Sequence, residues 1–178
     1  MKIALYVPSW PPGSSPNGIV TYAAQIVPAL RRLGHEVFVL TPNHTERIAD
    51  AYTIDLNAIH VPRSIWSWVK SRFFPKDPAF NAFVEKLQSA ILTLTTRHNL
   101  DVMEIEESFG WSWRITQAEI IPVVVRLHGP WFLNGNFDDP LESKYRKRID
   151  LEGRGISAAA LVTAPSVDVL KRDCPGEC

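Results

Sequence analysis

The sequence has little cysteine, no long apolar run and no excess of charge of either sign, and each absence excludes a class of protein. Its 178 residues include only two cysteines, Cys174 and Cys178. Two cysteines cannot build a disulfide framework, and so few fit a reducing compartment. Their spacing, with no histidine nearby, is a poor zinc signal, so we expect no metal site.

Membrane-spanning and nucleic-acid-binding classes are also disfavoured. No stretch reaches the ~20 apolar residues that would span a bilayer, and the apolar start of the chain is too short for a signal peptide. Nineteen basic residues balance nineteen acidic ones, so no electrostatic argument favours nucleic acid as a partner. The 46% apolar and 21% charged fractions are ordinary for a globular domain. We therefore expect a cytoplasmic protein with one buried core.

Three nucleotide and hydrolase motifs are missing as well. The first strand-to-helix turn has no Gly-x-Gly-x-x-Gly, so a Rossmann-type oxidoreductase is poorly supported. Gly13 and Gly18 have the Walker A separation, but Ile19 and Val20 stand where Lys and Ser or Thr would be needed. No Gly-x-Ser-x-Gly nucleophile elbow is present either.

Apolar runs and helical periodicities alternate along the chain, which predicts an α/β fold: a Rossmann-like, three-layer, doubly wound parallel sheet. The predicted strands are Lys2–Val7, Glu36–Leu40, Val102–Ile105, Ile121–Leu127 and Ala159–Thr163, with a weaker one around Ile59–Val61. The predicted helices are Ile19–Leu33, Ala79–Arg97 and Asp139–Ile156, and another begins at Pro165.

Polar side chains follow two of these strands. Glu104, Glu106 and Glu107 surround the end of one strand, and His128 directly follows the next. In an open α/β sheet the loops at the carboxyl ends of the strands build the ligand crevice. Strand alternation places Glu104 and Glu106 on the same face. His128 is the best single candidate for an active-site residue; for the glutamates, solvated surface charge is the alternative.

Four of the six tryptophans also follow strands: Trp10, Trp111, Trp113 and Trp131. Aromatic faces suit the C–H surface of a sugar ring, whose hydroxyls seek polar partners. As a group they favour a carbohydrate site, whereas for any single one of them packing at the sheet edge or under a loop is the favoured interpretation.

The turn Pro16-Asn17-Gly18 opens the first helix. Free N–H groups at a helix N-terminus attract anions, and glycine lets a ligand approach the backbone, so a phosphate site is one interpretation. A loop that simply needs a glycine is the other.

Residues 63–74 mix cationic and aromatic side chains. As a helix the segment would have an apolar side suited to an anionic membrane surface or to covering an acceptor pocket. Packing on its own domain is the alternative.

Taken in order, these segments resemble the N-terminal lobe of the family 4 retaining glycosyltransferases, which have the GT-B fold. Each motif alone is weak, but the ordered set covers nearly the whole chain. It comprises the strand Ile3–Val7, Asn17-Gly18-Ile19, Leu33-Gly34-His35-Glu36-Val37, Thr41-Pro42, Asp101-Val102-Met103-Glu104, Arg126-Leu127-His128-Gly129 and Ala164-Pro165-Ser166.

The resemblance implies that residues 1–164 form an acceptor-binding domain and that 165–178 begin the crossover to a C-terminal lobe. His128 would be the catalytic residue that contacts the donor sugar, and Asn17-Gly18 would face the donor diphosphate. Asn17 replaces a second glycine there, a mild departure because Asn tolerates left-handed backbone. The acceptor-side residues would be Glu106, Trp111 and Trp131.

The implied activity is hexosyl transfer from a nucleotide-sugar, with retention and without a metal or other cofactor. The acceptor would be a carbohydrate or a lipid-linked molecule. The family's nucleotide-binding lobe is not in this sequence, so we expect the 178-residue chain alone to be inactive. A stand-alone binding or adaptor subunit with a separate catalytic partner is the alternative.

Overall fold

A computed structural model describes residues 1–13, 16–44, 50–61, 78–134 and 142–169, without the side chains of 78, 134 and 142–144. Two predicted features lie outside the described residues: the basic and aromatic segment 63–74, and residues 170–178 of the crossover, which include both cysteines. Within the described part, no helix has the length and apolarity needed to cross a membrane.

Strands and helices alternate through most of the described chain. The strands are β1 (Lys2–Tyr6), β2 (Glu36–Thr41), β3 (Thr53–Asp55), β4 (Val102–Glu106), β5 (Val123–Arg126) and β6 (Leu161–Thr163). The helices are α1 (Gly18–Arg32), α2 (Pro78–His98), α3 (Trp111–Thr116), α4 (Trp131–Asn134) and α5 (Glu142–Ala158).

The six strands form one parallel sheet in the order β3-β2-β1-β4-β5-β6. The strand order reverses between β1 and β4, which makes this junction the switch point where doubly wound sheets bind ligands. The α/β, Rossmann-like fold class predicted from the sequence is therefore confirmed.

The predicted strand around Ile59–Val61 is wrong. The strand lies earlier, at β3, and pairs with β2. Residues Leu56–Ala58 then form a 3₁₀ turn that the Asp55 carboxylate caps by accepting from the Asn57 N–H at 2.8 Å. The three half-buried residues of β3 are too few to show an apolar period, whereas the run Ile59-His60-Val61 alternates apolar and polar residues as a strand does.

The sheet has a hydrophobic cluster on each face. Helix α1 packs Val20, Ala23 and Val27 on one face, against β1 and β2. The larger cluster, on the other face, receives side chains from α2, α3 and α5. Because Leu5 is paired with Glu104 in the β1–β4 register, Glu104 and Glu106 belong to the α1 face.

Candidate functional site

A pocket opens at the switch point, between β1, β4 and the start of α1. It encloses about 210 Å³, part of it open to solvent. Because that figure includes open solvent, the enclosed part is smaller than the ~300–1,000 Å³ typical of pockets for drug-sized ligands. Two phenol rings, two carboxylates, a guanidinium, an imidazole and four apolar side chains line it: Leu5, Tyr6, Ile19, Tyr22, Ala23, Glu104, Ile105, Glu106, Arg126 and His128.

Two of the predicted site residues, Glu106 and His128, are thus brought together in one pocket. Sequence reasoning assigned no site role to Tyr22 or Arg126. For Arg126, the pairing of β4 with β5 could have indicated a site role. Glu106 and Arg126 are partners in that register, so their side chains lie on the same face of the sheet.

Tyr22 links the polar groups of the pocket. Its ring lies edge-on to the His128 ring, with centroids 5.4 Å apart, and the Arg126 guanidinium lies 4.5 Å from its centroid. Its hydroxyl donates a hydrogen bond to Glu104. Burial and the Glu104 charge both raise the pKa of Tyr22, so the phenol stays protonated and remains a donor.

We expect Tyr22→Phe to destabilise the chain by about 1–2 kcal/mol at pH 8, because the ionised Glu104 loses its hydroxyl donor. Burial raises the pKa of Glu104, so protonation at low pH replaces a charge-assisted bond with a weaker one, and the loss should be smaller at pH 4. Urea unfolding at both pH values measures this. The partly exposed Tyr52→Phe is the control, and an equal loss at the two pH values would contradict the assignment.

Glu106 is the most perturbed carboxyl of the pocket. Its residue is only 5% exposed. Burial, reinforced by the charge of Glu107, raises the pKa of Glu106 to about 7, and the Ser108 hydroxyl, 3.3 Å from Oε2, opposes the rise. Near neutral pH this carboxyl therefore exists in both forms and can accept from or donate to a ligand hydroxyl.

His128 has the opposite perturbation. Burial, together with the charge of Arg126, lowers the pKa of its imidazole to about 4. The ring is therefore neutral at pH 7, with one donor nitrogen and one acceptor nitrogen.

Glu107 is a buried hydrogen-bond acceptor and not the solvated charge considered above, since its residue is 1% exposed. Its Oε2 accepts from the His128 N–H at 3.0 Å, and its Oε1 accepts from the Gly129 N–H at 2.8 Å. Burial raises the pKa of Glu107, and these N–H groups oppose that rise.

A third buried carboxylate, Glu152 on α5, was not singled out in the sequence because it lies in a highly charged helix. It is 0% exposed and accepts from the Phe109 N–H at 3.0 Å and the Trp131 N–H at 2.8 Å. The Arg148 Nε donates to it at 2.7 Å. The Arg148 guanidinium lies 4.1 Å from the Phe109 ring centroid and 4.4 Å from that of Trp131.

The described tryptophans, Trp10, Trp111, Trp113 and Trp131, lie outside the pocket lining. Trp10 is 8% exposed and belongs to the cluster under α1, so packing explains it. Trp111 packs on Tyr6 and Phe83, and Trp131 packs on Tyr145 with centroids 5.1 Å apart. An acceptor-side role for Trp111 and Trp131 stays a prediction.

Asn17 and Gly18 lie where α1 begins, one residue before the pocket residue Ile19. Asn17 has an extended backbone, with φ −145°, so left-handed tolerance is not what it supplies. Its Oδ1 instead caps the helix by accepting from the Ile19 N–H at 2.8 Å. A Cβ at the exposed Gly18 would meet nothing within 4 Å, which leaves room for a ligand at the backbone.

Among the described residues, no three His, Cys, Asp or Glu side chains come together as metal ligands. The pocket's chemistry is that of hydrogen bonding: a neutral imidazole, a phenol donor, two carboxyls with raised pKa values and one cation.

Comparison with known proteins agrees with this architecture. A model of Glycosyltransferase Family 4 matches residues 16–172. No curated protein is significantly similar in sequence.

Among solved structures, sucrose-phosphate synthase from Thermosynechococcus elongatus superimposes with a TM-score of 0.66 at 18% identity, over 96% of this chain and 44% of that one. UDP-GlcNAc 2-epimerase from Methanocaldococcus jannaschii superimposes with a TM-score of 0.56 at 10% identity, over 97% of this chain and 41% of that one. A putative UDP-N-acetylglucosamine 2-epimerase from Listeria monocytogenes has a TM-score of 0.56 at 12% identity, over 99% of this chain and 42% of that one.

The chain spans less than half the length of each of these structures, and at such identities the likeness shows the fold alone. The family model covers most of the sequence. The chain therefore belongs to glycosyltransferase family 4 and forms an N-terminal lobe of the GT-B fold.

Proposed function

We propose that this lobe binds the acceptor of a retaining hexosyltransferase that uses a nucleotide-sugar donor. The observation that carries the proposal is the pocket at the β1–β4 switch point, where Glu104, Glu106 and Tyr22 offer hydroxyl-binding groups beside the neutral His128. Membership of family 4 supports the reaction class.

In this proposal each part of the lobe has one task. Glu106 and Glu104 hold acceptor hydroxyls, with Trp111 and Trp131 as more distant acceptor contacts. His128 hydrogen-bonds the donor sugar near the reacting carbon. The Asn17-Gly18 turn, at the positive end of α1, steadies the diphosphate as it leaves.

The reaction needs no redox or metal step. The bond from the anomeric carbon to the diphosphate oxygen breaks, and a bond from that carbon to the acceptor oxygen forms on the same face. The acceptor proton leaves with the diphosphate. A second lobe supplies the nucleotide site, so the 178-residue chain alone should show negligible turnover.

The cellular setting is part of the proposal. We place the enzyme in the cytoplasm, with a carbohydrate or lipid-linked acceptor and no nucleic-acid partner. Residues 63–74 would provide peripheral contact with the inner face of the membrane.

Ligand-observed NMR on the 178-residue chain tests the proposal with a panel of mono- and disaccharides, and with UDP as the nucleotide probe. We expect saturation transfer to at least one carbohydrate and none to UDP, because the nucleotide site belongs to the other lobe. Glu106→Gln should reduce the saturation-transfer signal of the carbohydrate at least threefold, because the carboxyl that binds a ligand hydroxyl is lost. The exposed Glu119→Gln serves as the matched control and should leave it unchanged.

Two results would contradict the proposal: a pocket that receives UDP and no sugar, or turnover of UDP-glucose by the chain alone. An immunoblot of the native source addresses the stand-alone binding subunit. A band at about twice the mass of this chain, as two ordinary domains give, supports the two-lobed enzyme, and a band at its own mass favours the subunit.

A further inference from the structure

We propose that Glu107 is a positioning residue for His128, and that Glu152 extends this hold to the loop after β4. Together, Glu107 and Glu152 would set the geometry of the pocket wall before any ligand arrives. This inference rests on the proposed function for the task of His128, but its geometry stands on the contacts alone.

The sheet itself does not position His128. The last ladder bond of β5 runs from the Leu127 N–H to the Thr163 carbonyl at 2.8 Å, and β6 ends at that residue. The next two backbone donors, on His128 and Gly129, both end on the Glu107 carboxylate. Glu107 therefore replaces the missing strand partner where the candidate catalytic side chain leaves the sheet.

Glu152 repeats the arrangement one layer away. The N–H of Phe109, in the loop after β4, and the N–H of Trp131, the first residue of α4, meet on its carboxylate. Arg148, stacked between the two rings, compensates the buried charge from the same helix. The loop after β4 and the start of α4 are thus tied to each other and to α5.

Packing alone does not explain why carboxylates occupy these two buried positions, because apolar side chains would fill the same space at lower desolvation cost. Two oxygens of one ionised carboxylate can fix two successive N–H groups in one orientation. The arrangement also has a consequence for the ligand. The N–H groups of His128 and Gly129 are occupied, so this loop offers the donor its imidazole and no backbone donors.

Hydrogen exchange and histidine NMR on the 178-residue chain test the inference without any sugar. In the wild type, the His128 and Gly129 amides should be protected at least 100-fold although they lie in a loop. Exchange at the unprotected rate would overturn the proposal before any variant is made.

Glu107→Gln keeps the shape of the side chain, but its NH₂ group replaces one of the two acceptor oxygens and therefore faces the N–H of His128 or Gly129. We expect exchange of the His128 or Gly129 amide to accelerate at least tenfold, and the pKa of His128 to rise from about 4 towards its usual range as the ring gains solvent. Glu119→Gln should change neither. In Glu152→Gln, exchange should instead accelerate at the backbone amides of Phe109 and Trp131.

Wild-type exchange rates and an unchanged pKa of His128 in a folded Glu107→Gln chain would refute the positioning role. Should that variant not fold, Glu107→Asp is read in the same way, because its shorter side chain reaches the two N–H groups less well. Absence of carbohydrate binding by the wild type would refute the proposed function and leave the hold on His128 intact.

Discussion

Glu106→Gln is expected to make the chain more stable at pH 8 by about 3 kcal/mol. Burial, with the charge of Glu107, raises the pKa of this carboxyl from 4.5 to about 7. A shift of one pKa unit corresponds to about 1.4 kcal/mol, so ionising Glu106 in the folded state costs about 3 kcal/mol more than in the unfolded chain. Glutamine has nearly the same shape and no such cost.

The pH window follows from the direction of the shift. Between pH 4.5 and about 7 the folded state binds more protons at Glu106 than the unfolded state does, so wild-type stability falls as pH rises through this range. Below pH 4.5 the carboxyl is protonated in both states. The advantage of Glu106→Gln should therefore be small at pH 4, grow up to about pH 7 and then stay constant.

Urea unfolding of wild type and variant at pH 4, 6 and 8 measures the effect. The exposed carboxyl variant Glu119→Gln controls for the loss of one charge and should track the wild type at every pH. A Glu106→Gln chain that is less stable than wild type at pH 8 would show that the ionised carboxylate has a compensating partner. Because the same substitution is expected to weaken carbohydrate binding, stability and ligand recognition should change in opposite directions, as is common at functional sites.

Gly110→Ala is expected to destabilise the chain by about 4 kcal/mol. The residue has φ +72°, where an L side chain costs roughly 1–2 kcal/mol. An added Cβ would also lie 2.4 Å from the Leu151 Cβ and 2.6 Å and 2.7 Å from its backbone carbon and oxygen. Such overpacking adds about 1–3 kcal/mol, since backbone atoms cannot rotate away.

Gly34→Ala separates these two costs. Gly34 also has a positive φ, +86°, but a Cβ there would meet nothing within 4 Å. Its loss should be about 1–2 kcal/mol, from the backbone alone. Equal losses for the two variants in thermal and urea unfolding would mean that α5 does not press on the loop after β4. The close approach matters because Leu151 precedes Glu152, so moving α5 would displace the carboxylate that holds Phe109 and Trp131.

The fold was predictable because its signals are local. Five of the six strands have four or more residues or a clear apolar run, and helix periodicities separate them, which is enough for a parallel, doubly wound sheet. β3 was missed because three half-buried residues contain no period. α3 was missed because its six residues, which include Trp111, follow a strand so closely that they suggested a loop.

Local patterns in the sequence were sufficient to predict the architecture, the family resemblance and the edge of the sheet at which His128 and Glu106 meet. Only the tertiary structure distinguished Glu104, Glu106 and Glu107, which are chemically identical and lie within four residues. Their partners come from other elements: Tyr22 from α1 for Glu104, and backbone N–H groups 21 and 22 residues away for Glu107. For Glu106, burial and the charge of Glu107 raise the pKa to about 7, and the hydroxyl of Ser108 only partly opposes that rise. Protonation and hydrogen bonding depend on neighbours that folding brings together, so no local pattern could assign these roles.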